Sequence, residues 1–293
     1  MVVATVIGGA GRMGAWFANF LKKNGYRVII QDKNSTAARA LARKEGYQFI
    51  KSQNQAISLG QIIVLATPTN ATLSLLSRTS LMFSREKLYV EISSVKEPVR
   101  TTIQLLRRRI GILSVHPMFG PGSQTLSGKA MLVTSEPANS KMAEALLKLF
   151  RKKGVMLFRF DPERHDQLIA LVLALPHFVN NIFMNTLKTI GENPNRLRKV
   201  AGTTFRLQLL TAEAISQEDT ENELSILIDT KETLTVLRLF LKQCTAAAKA
   251  VEKGQRKRLR ETLVNGRSYV QRDRVFATAY RRFNAAVEAS SSV

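Results

Sequence analysis

The chain has 293 residues, of which 45% are hydrophobic and 23% charged, a composition that excludes wholesale disorder and admits two domains with a substantial core. Its single cysteine, Cys244, excludes an internal disulfide and a cysteine-based zinc site, and fits a reducing compartment. The formal charge of +22 attracts anions, yet the basic residues are spread along the chain, aromatics are only 7%, and no DNA- or RNA-reading motif is recognisable, so nucleic acid is not the expected partner.

The N-terminus opens into a strand-and-glycine pattern and lacks the charged and small-residue features of a signal peptide. The longest apolar run, residues 168–184, is interrupted by Pro176, His177, Asn180 and Asn181, and is expected to be a buried helix, too short and too polar to span a bilayer. A soluble, cytoplasmic protein is expected.

Residues 2–7 form a short β-branched strand that runs into Gly8-Gly-Ala-Gly-Arg-Met-Gly14 and then an amphipathic helix over 15–24, stopped by Gly25. Gly9, Gly11 and Gly14 satisfy the G-x-G-x-x-G spacing. The first glycine permits a tight turn, the second a close approach of backbone to a pyrophosphate, the third close packing of helix on strand. Alone this motif is weak, but here it has the required strand–turn–helix context. The helix N-terminus offers free amides to phosphates. A second strand, 26–31, ends at Asp32, roughly twenty residues on, where a carboxylate can accept from ribose hydroxyls and repel a 2′-phosphate. That favours NAD, while Arg12 and Lys33 keep NADP open.

A helix over 35–45 and strands over 48–50, 62–66, 88–92, 110–115, 129–134 and 155–160 follow, with a helix over 141–152 before the last strand. This alternation predicts an α/β domain with a Rossmann-type doubly wound parallel sheet. Pro117 lacks an amide hydrogen, so the strand before it should stop there and leave His116 at its carboxyl end. Ligands bind at that edge of such sheets, and an imidazole there can take a proton from a hydroxyl. Loops carrying Thr67, Ser94 with Lys96, and His116 should gather at this edge. Beyond Asp161-Pro162 the strand signals cease and helical periodicity takes over, with breaks at residues 191–194, near Gly202, at 218–221, at Gly254 and at Gly266. The expected organisation is a dinucleotide-binding domain over 1–161 and an all-helical substrate and dimerisation domain over 162–293, paired as a homodimer.

With these residues in place, the chain resembles the prephenate/arogenate dehydrogenase family of tyrosine biosynthesis over essentially its whole length. The resemblance rests on the glycine loop, Thr67-Pro68, Ser94-Val-Lys96, His116-Pro-Met-Phe-Gly-Pro121, His165-Asp-Gln167, Leu175-Pro-His177 and Phe205-Arg-Leu207. It implies oxidative decarboxylation of prephenate or arogenate, with a hydride passed to NAD or NADP. It implies that His116 is the base on the ring hydroxyl and that Ser94 keeps base, hydroxyl and nicotinamide in register. Lys96, His177 and Arg206 would contact the substrate. Gly9, Gly11, Arg12, Met13, Gly14, Asp32, Thr67 and Pro68 would hold the dinucleotide, and no metal is required. His165 is read as part of a helix start, without chemistry.

One position departs from the family pattern. A second arginine that grips the ring carboxylate is usual after the Phe-Arg-Leu segment, and here the place falls at or beside Ala214, next to Glu213. Another basic residue then holds the carboxylate, or the substrate is a variant such as 4-amino-4-deoxyprephenate, or activity is lost. Hydroxyacid and imine-type dehydrogenases of similar build use a lysine or aspartate on the helical domain, and His116 argues against them. A non-catalytic dinucleotide- or nucleic-acid-binding protein is the remaining alternative.

Overall fold

The computed structural model describes residues 1–78, 86–107, 109–138 and 140–290; the end of the serine tail lies outside them. The chain divides into two compact units, Met1–Ile169 with Leu224–Thr230, and Ala170–Glu223 with Lys231–Val293. Pro162–Ile169 groups with the first unit.

In chain order the first unit comprises β1 (Val3–Ile7), α1 (Arg12–Lys23), β2 (Arg27–Gln31), α2 (Ser35–Glu45), β3 (Gln48–Phe49), α3 (Gln53–Leu59), β4 (Ile62–Leu65) and α4 (Thr69–Arg78). Then come β5 (Leu88–Glu91), α5 (Glu97–Leu106), β6 (Gly111–Pro117), β7 (Ala130–Ser135), α6 (Lys141–Lys152), β8 (Met156–Arg159) and α7 (Pro162–Ile169). One eight-stranded sheet runs β3-β2-β1-β4-β5-β6-β7-β8. Buried strand residues alternate between its faces. Val6, Ile30, Val64 and Val90 share a core with Phe17, Phe20 and Leu21 of α1 and Leu146 and Phe150 of α6. Ile7, Ile29, Ile63 and Tyr89 share the opposite core with α3, α4 and α5. Helices thus cover both faces, as a doubly wound sheet requires.

The sheet is not parallel throughout. Strands β1 to β6 run together, β7 is antiparallel to β6, and β8 is parallel to β7. The loop between β6 and β7 carries no helix, so the chain returns directly instead of crossing over.

The strand does not stop before Pro117, which is the last residue of β6. Pro117 pairs with Met131 of β7, and Met118 N–H then donates to the Ala130 carbonyl. Pairing with β5 has ceased at Ser114, so β6 has a neighbour on one side only. Amides alternate sides along a strand, and the hydrogen that Pro117 lacks would face the unpaired side. Beyond it Phe119 is buried against Trp16 of α1, ring centroids 5.1 Å apart. Trp16 in turn stacks on Phe20 and Phe20 on Phe150. His116 therefore lies at the carboxyl end of β6, as expected, and is paired there with Leu132 of β7.

The second unit contains a π-helical segment (Ala170–Ala174), α8 (Leu175–Ile190), α9 (Pro194–Val200), α10 (Thr203–Ile215), the start of α11 (Thr220–Ile228), α12 (Lys231–Glu252), α13 (Arg256–Val270) and α14 (Ala279–Ser290). Within it α8 packs on α10 and α12, and α10 on α14. Gly191 closes α8 at φ +84° and Gly202 caps α10, as expected. Gly266, expected as a break, lies inside α13. A single helical glycine costs only about 1 kcal/mol against alanine, which its neighbours outweigh.

The apolar run also differs from expectation. It forms part of a helical stretch, Pro162–Ile190, of 29 residues, whose most apolar window has mean hydropathy 1.6 and is only 28% buried. By length and composition alone it could cross a membrane. Leu171, Val172 and Ile182 are each about half exposed (50–55%).

The glycine loop sets a first test. A Cβ at Gly14 would lie 2.0 Å from the Gly8 carbonyl oxygen, whereas one at Gly11 meets nothing nearer than 3.3 Å. Gly14→Ala should lower unfolding stability by about 1–3 kcal/mol or more, and Gly11→Ala by far less, both measured by urea denaturation.

Candidate functional site

β1, β4, β5 and β6 are parallel neighbours, so the segments that leave their carboxyl ends share one edge of the sheet. The segment after β1 is the glycine loop. Gly8 sits at φ +79°, and a Cβ there would lie 2.3 Å from the Ala66 carbonyl, so this loop lies directly against the segment after β4. A Cβ on Gly9 would meet Ile30 at 2.7 Å. The N-terminus of α1 has no side-chain cap and no acidic residue in its first turn. Backbone that only glycine permits, beside an uncapped helix start, fits a pyrophosphate. Asp32 closes the loop from the β2 side: its Oδ2 accepts from Ala10 N–H at 3.0 Å and its Oδ1 from Asn34 N–H at 2.9 Å. A carboxylate has about four acceptor positions, so capacity remains for a ribose diol. An open cleft of about 630 Å³, lined by Phe49, Ile50, Lys51, Ser52 and Gln55, lies at the carboxyl end of β3, the strand paired with β2.

Thr67 and Pro68 follow β4. The Thr67 hydroxyl lies 2.7 Å from that of Thr72, and the Pro68 carbonyl accepts from Thr72 N–H, which fastens the start of α4. Arg12 is exposed, while Met13 and Ser94 are half-buried.

After β5 the chain enters a buried polar network. Lys96 is 1% exposed, and its ammonium donates to Glu91 Oε2 at 2.8 Å and to the Val115 carbonyl at 2.9 Å. Glu91, itself fully buried, also accepts from the Ser114 hydroxyl at 2.6 Å and from Ser93 N–H. Lys96 was expected to contact substrate; its ammonium instead ties the loop after β5 to the residue preceding His116. Burial lowers the pKa of Lys96, with Glu91 opposing that shift.

His116 is 5% exposed. Its Nδ1 lies 3.1 Å from Nε2 of His165, and Nδ1 of His165 lies 2.7 Å from Asp166 Oδ1. Asp166 also takes Lys96 N–H at 2.9 Å and Glu97 N–H at 2.7 Å, the first amides of α5. Burial, then the neighbouring His165 and Lys96, holds His116 well below its ordinary value of 6.5. His165 is lowered too, chiefly by burial and against the pull of Asp166. Both rings are neutral near neutral pH. His116 Nε2 has no hydrogen-bond partner among the described residues.

Sequence reasoning read His165 as a helix start without chemistry and passed over Asp166. The available signal was their adjacency in a histidine-poor chain, on a segment bounded by Pro162. Burial, which gives that pair its meaning, has no local signature.

The remaining candidates lie on the second unit. His177 is buried, its Nδ1 3.3 Å from Glu223 Oε1. Arg206 is exposed on α10, and its guanidinium has no partner among the described residues. Glu213, the neighbour of Ala214, is paired with Arg198.

A nucleotide-fitted glycine loop at the edge of a mostly parallel sheet, a buried neutral histidine at the same edge and a helical second unit define the architecture of NAD(P)-dependent dehydrogenases. Residues 17–157 match the prephenate dehydrogenase nucleotide-binding domain, and residues 161–265 the prephenate dehydrogenase dimerization domain. The chain belongs to the prephenate/arogenate dehydrogenase family. It is 24% identical to a probable arogenate/prephenate dehydrogenase of Methanocaldococcus jannaschii, over 86% of this chain and 57% of that protein. It is 24% identical to the T-protein of Haemophilus influenzae, over 79% of this chain and 57% of that one. The chain thus spans little more than half the length of these relatives. In fold it resembles the prephenate dehydrogenase of Aquifex aeolicus, solved with hydroxyphenyl propionate and NAD+, at a TM-score of 0.73 and 20% identity, over 93% of this chain and 99% of that one.

The two depressed histidines make stability depend on pH. Unfolded, each binds a proton near 6.5; folded, each resists it until lower pH. Their contribution is complete above that value and is lost as pH falls below it toward the lowered folded values. The urea midpoint should therefore drop between about pH 7.5 and 5.5. A His116→Asn/His165→Gln double variant should show a flatter profile over the same range.

Proposed function

We propose that this protein carries out oxidative decarboxylation of prephenate or arogenate, the ring losing a hydride and carbon dioxide and becoming aromatic. The observation that carries this reading is the neutral, buried His116, with an unengaged Nε2 at the same sheet edge as the dinucleotide-fitted loop. NAD, or NADP, supplies the hydride acceptor when bound. Gly9, Gly11, Arg12, Met13 and Gly14 would face the phosphates, Asp32 the ribose, and Thr67 and Pro68 the adjoining part of the cofactor.

Aromatisation and loss of carbon dioxide drive the reaction forward, so the protein's part is to orient the ring and help its hydroxyl lose a proton. His116 Nε2 would accept that proton, a contribution typically of about 10²–10⁴ in rate. Ser94, in the loop after β5, would hold the hydroxyl in register. His177 and Arg206 are the proposed substrate contacts. An unpaired guanidinium suits a carboxylate through its bidentate fork, and Arg206 is therefore our candidate for the anion usually held by the arginine missing at Ala214. Lys96 would act through the backbone it fastens.

The half-exposed Leu171, Val172, Ile182, Leu234 and Leu239 of the helical unit, together with its match to a dimerization domain, support a homodimer. Sedimentation should show twice the 32.7 kDa chain mass; a monomer at micromolar concentration would count against it.

Absorbance at the reduced-nicotinamide band, with NAD or NADP and with prephenate or arogenate in separate wells, should rise for one pairing. His116→Asn should keep cofactor binding and lose about 10²–10⁴ in kcat. Turnover at the parent rate would remove His116 from the role of base.

A further inference from the structure

We propose that His165 and Asp166 are positioning residues that fix the tautomer of His116, keeping the lone pair on Nε2, the nitrogen outside the network. This rests on the reading of His116 as the base.

The direction of each hydrogen bond follows from the one before it. Backbone amides only donate, so the Asp166 oxygens accept from Lys96 and Glu97. An acceptor-only carboxylate requires Nδ1 of His165 to carry the hydrogen across their 2.7 Å contact. A neutral His165 protonated on Nδ1 has its lone pair on Nε2, which can then only accept across the 3.1 Å contact with His116. His116 must donate from Nδ1, and its own lone pair falls on Nε2. The reverse order would need a hydrogen from Asp166, whose oxygens already face two amides. Lys96, paired with Glu91, holds the Val115 carbonyl and so the backbone entering His116. The charged groups around the rings are thus Lys96, Glu91 and Asp166. A ring of wrong tautomer would present an N–H to the substrate hydroxyl and could not take its proton.

The test is the ¹⁵N spectrum of histidine-labelled protein. The chain has three histidines, and single substitutions assign them. At neutral pH His116 should show a protonated Nδ1 and an unprotonated Nε2, whether or not any substrate is turned over. In Asp166→Asn an amide oxygen at the Oδ2 position keeps both Glu97 N–H (2.7 Å) and Lys96 N–H (3.2 Å), whereas one at Oδ1 would leave Glu97 N–H facing the NH₂; the first arrangement turns the NH₂ toward His165. Both rings should then invert, His116 should carry its hydrogen on Nε2, and kcat should fall by about 10²–10⁴ with the KM for NAD unchanged. His165→Gln keeps an acceptor oxygen near the position of Nε2 and should lose no more than about tenfold, whereas His165→Met should fall as far as Asp166→Asn. This pair leaves the cap of α5 intact and decides the matter if Asp166→Asn does not fold. A protonated Nε2 on His116 in the parent, or equal turnover of the glutamine and methionine variants, would overturn the proposal. The expected tautomers without turnover of prephenate or arogenate would instead overturn the proposed reaction and leave the tautomer assignment standing.

Discussion

Two backbone amides at the start of α5 have no intrahelical acceptor, and the Lys96 side chain, a donor only, could not have capped them. A carboxylate seventy positions along the chain, Asp166 of α7, takes both. An uncapped helix start is an open demand for an anion, and meeting it from α7 fixes α7 against the sheet edge. Everything else at that edge is arranged around this contact. His165 is brought beside His116 because Asp166 is held, and the residue expected to be a mere helix start becomes the floor under the histidine.

Beneath it lies a second constraint of a different kind. Lys96 and Glu91 are both buried, and taking two charges out of water is costly unless other partners complete their bonding. Ser114, Ser93 N–H and the Val115 carbonyl supply those partners. Such a pair adds little to stability against an apolar replacement, but losing one member leaves an uncompensated charge worth about 3–5 kcal/mol. Its use here is geometric: it joins the loop after β5 to β6 at the residue before His116.

Much of this was legible in the chain itself. The glycine spacing, the β-branched runs and the change of periodicity after Asp161 identified the sheet, its nucleotide edge and the helical remainder, because these features are local. The reversal of β7 was not legible, since a strand's composition does not encode its direction. Pro117 misled because a proline's effect depends on which side of the ladder it faces, a property of β5 ending early. Lys96 was expected to contact substrate, and a sequence does not reveal that Glu91, on the preceding strand, will be buried with it. The pairing of His165 with Asp166 was visible, but the capping role of Asp166 was not, because capping a helix across a long separation leaves no local pattern.

The antiparallel return of β7 has a further consequence. A histidine on a loop must be ordered before each proton transfer, and its lost freedom enters the activation barrier. His116 pairs with Leu132, is followed by a buried Phe119 and is bonded at its ring to His165. Its rotamer and backbone entropy are surrendered once, when the sheet closes. A ring held this way should stay in place under heating until the sheet itself melts.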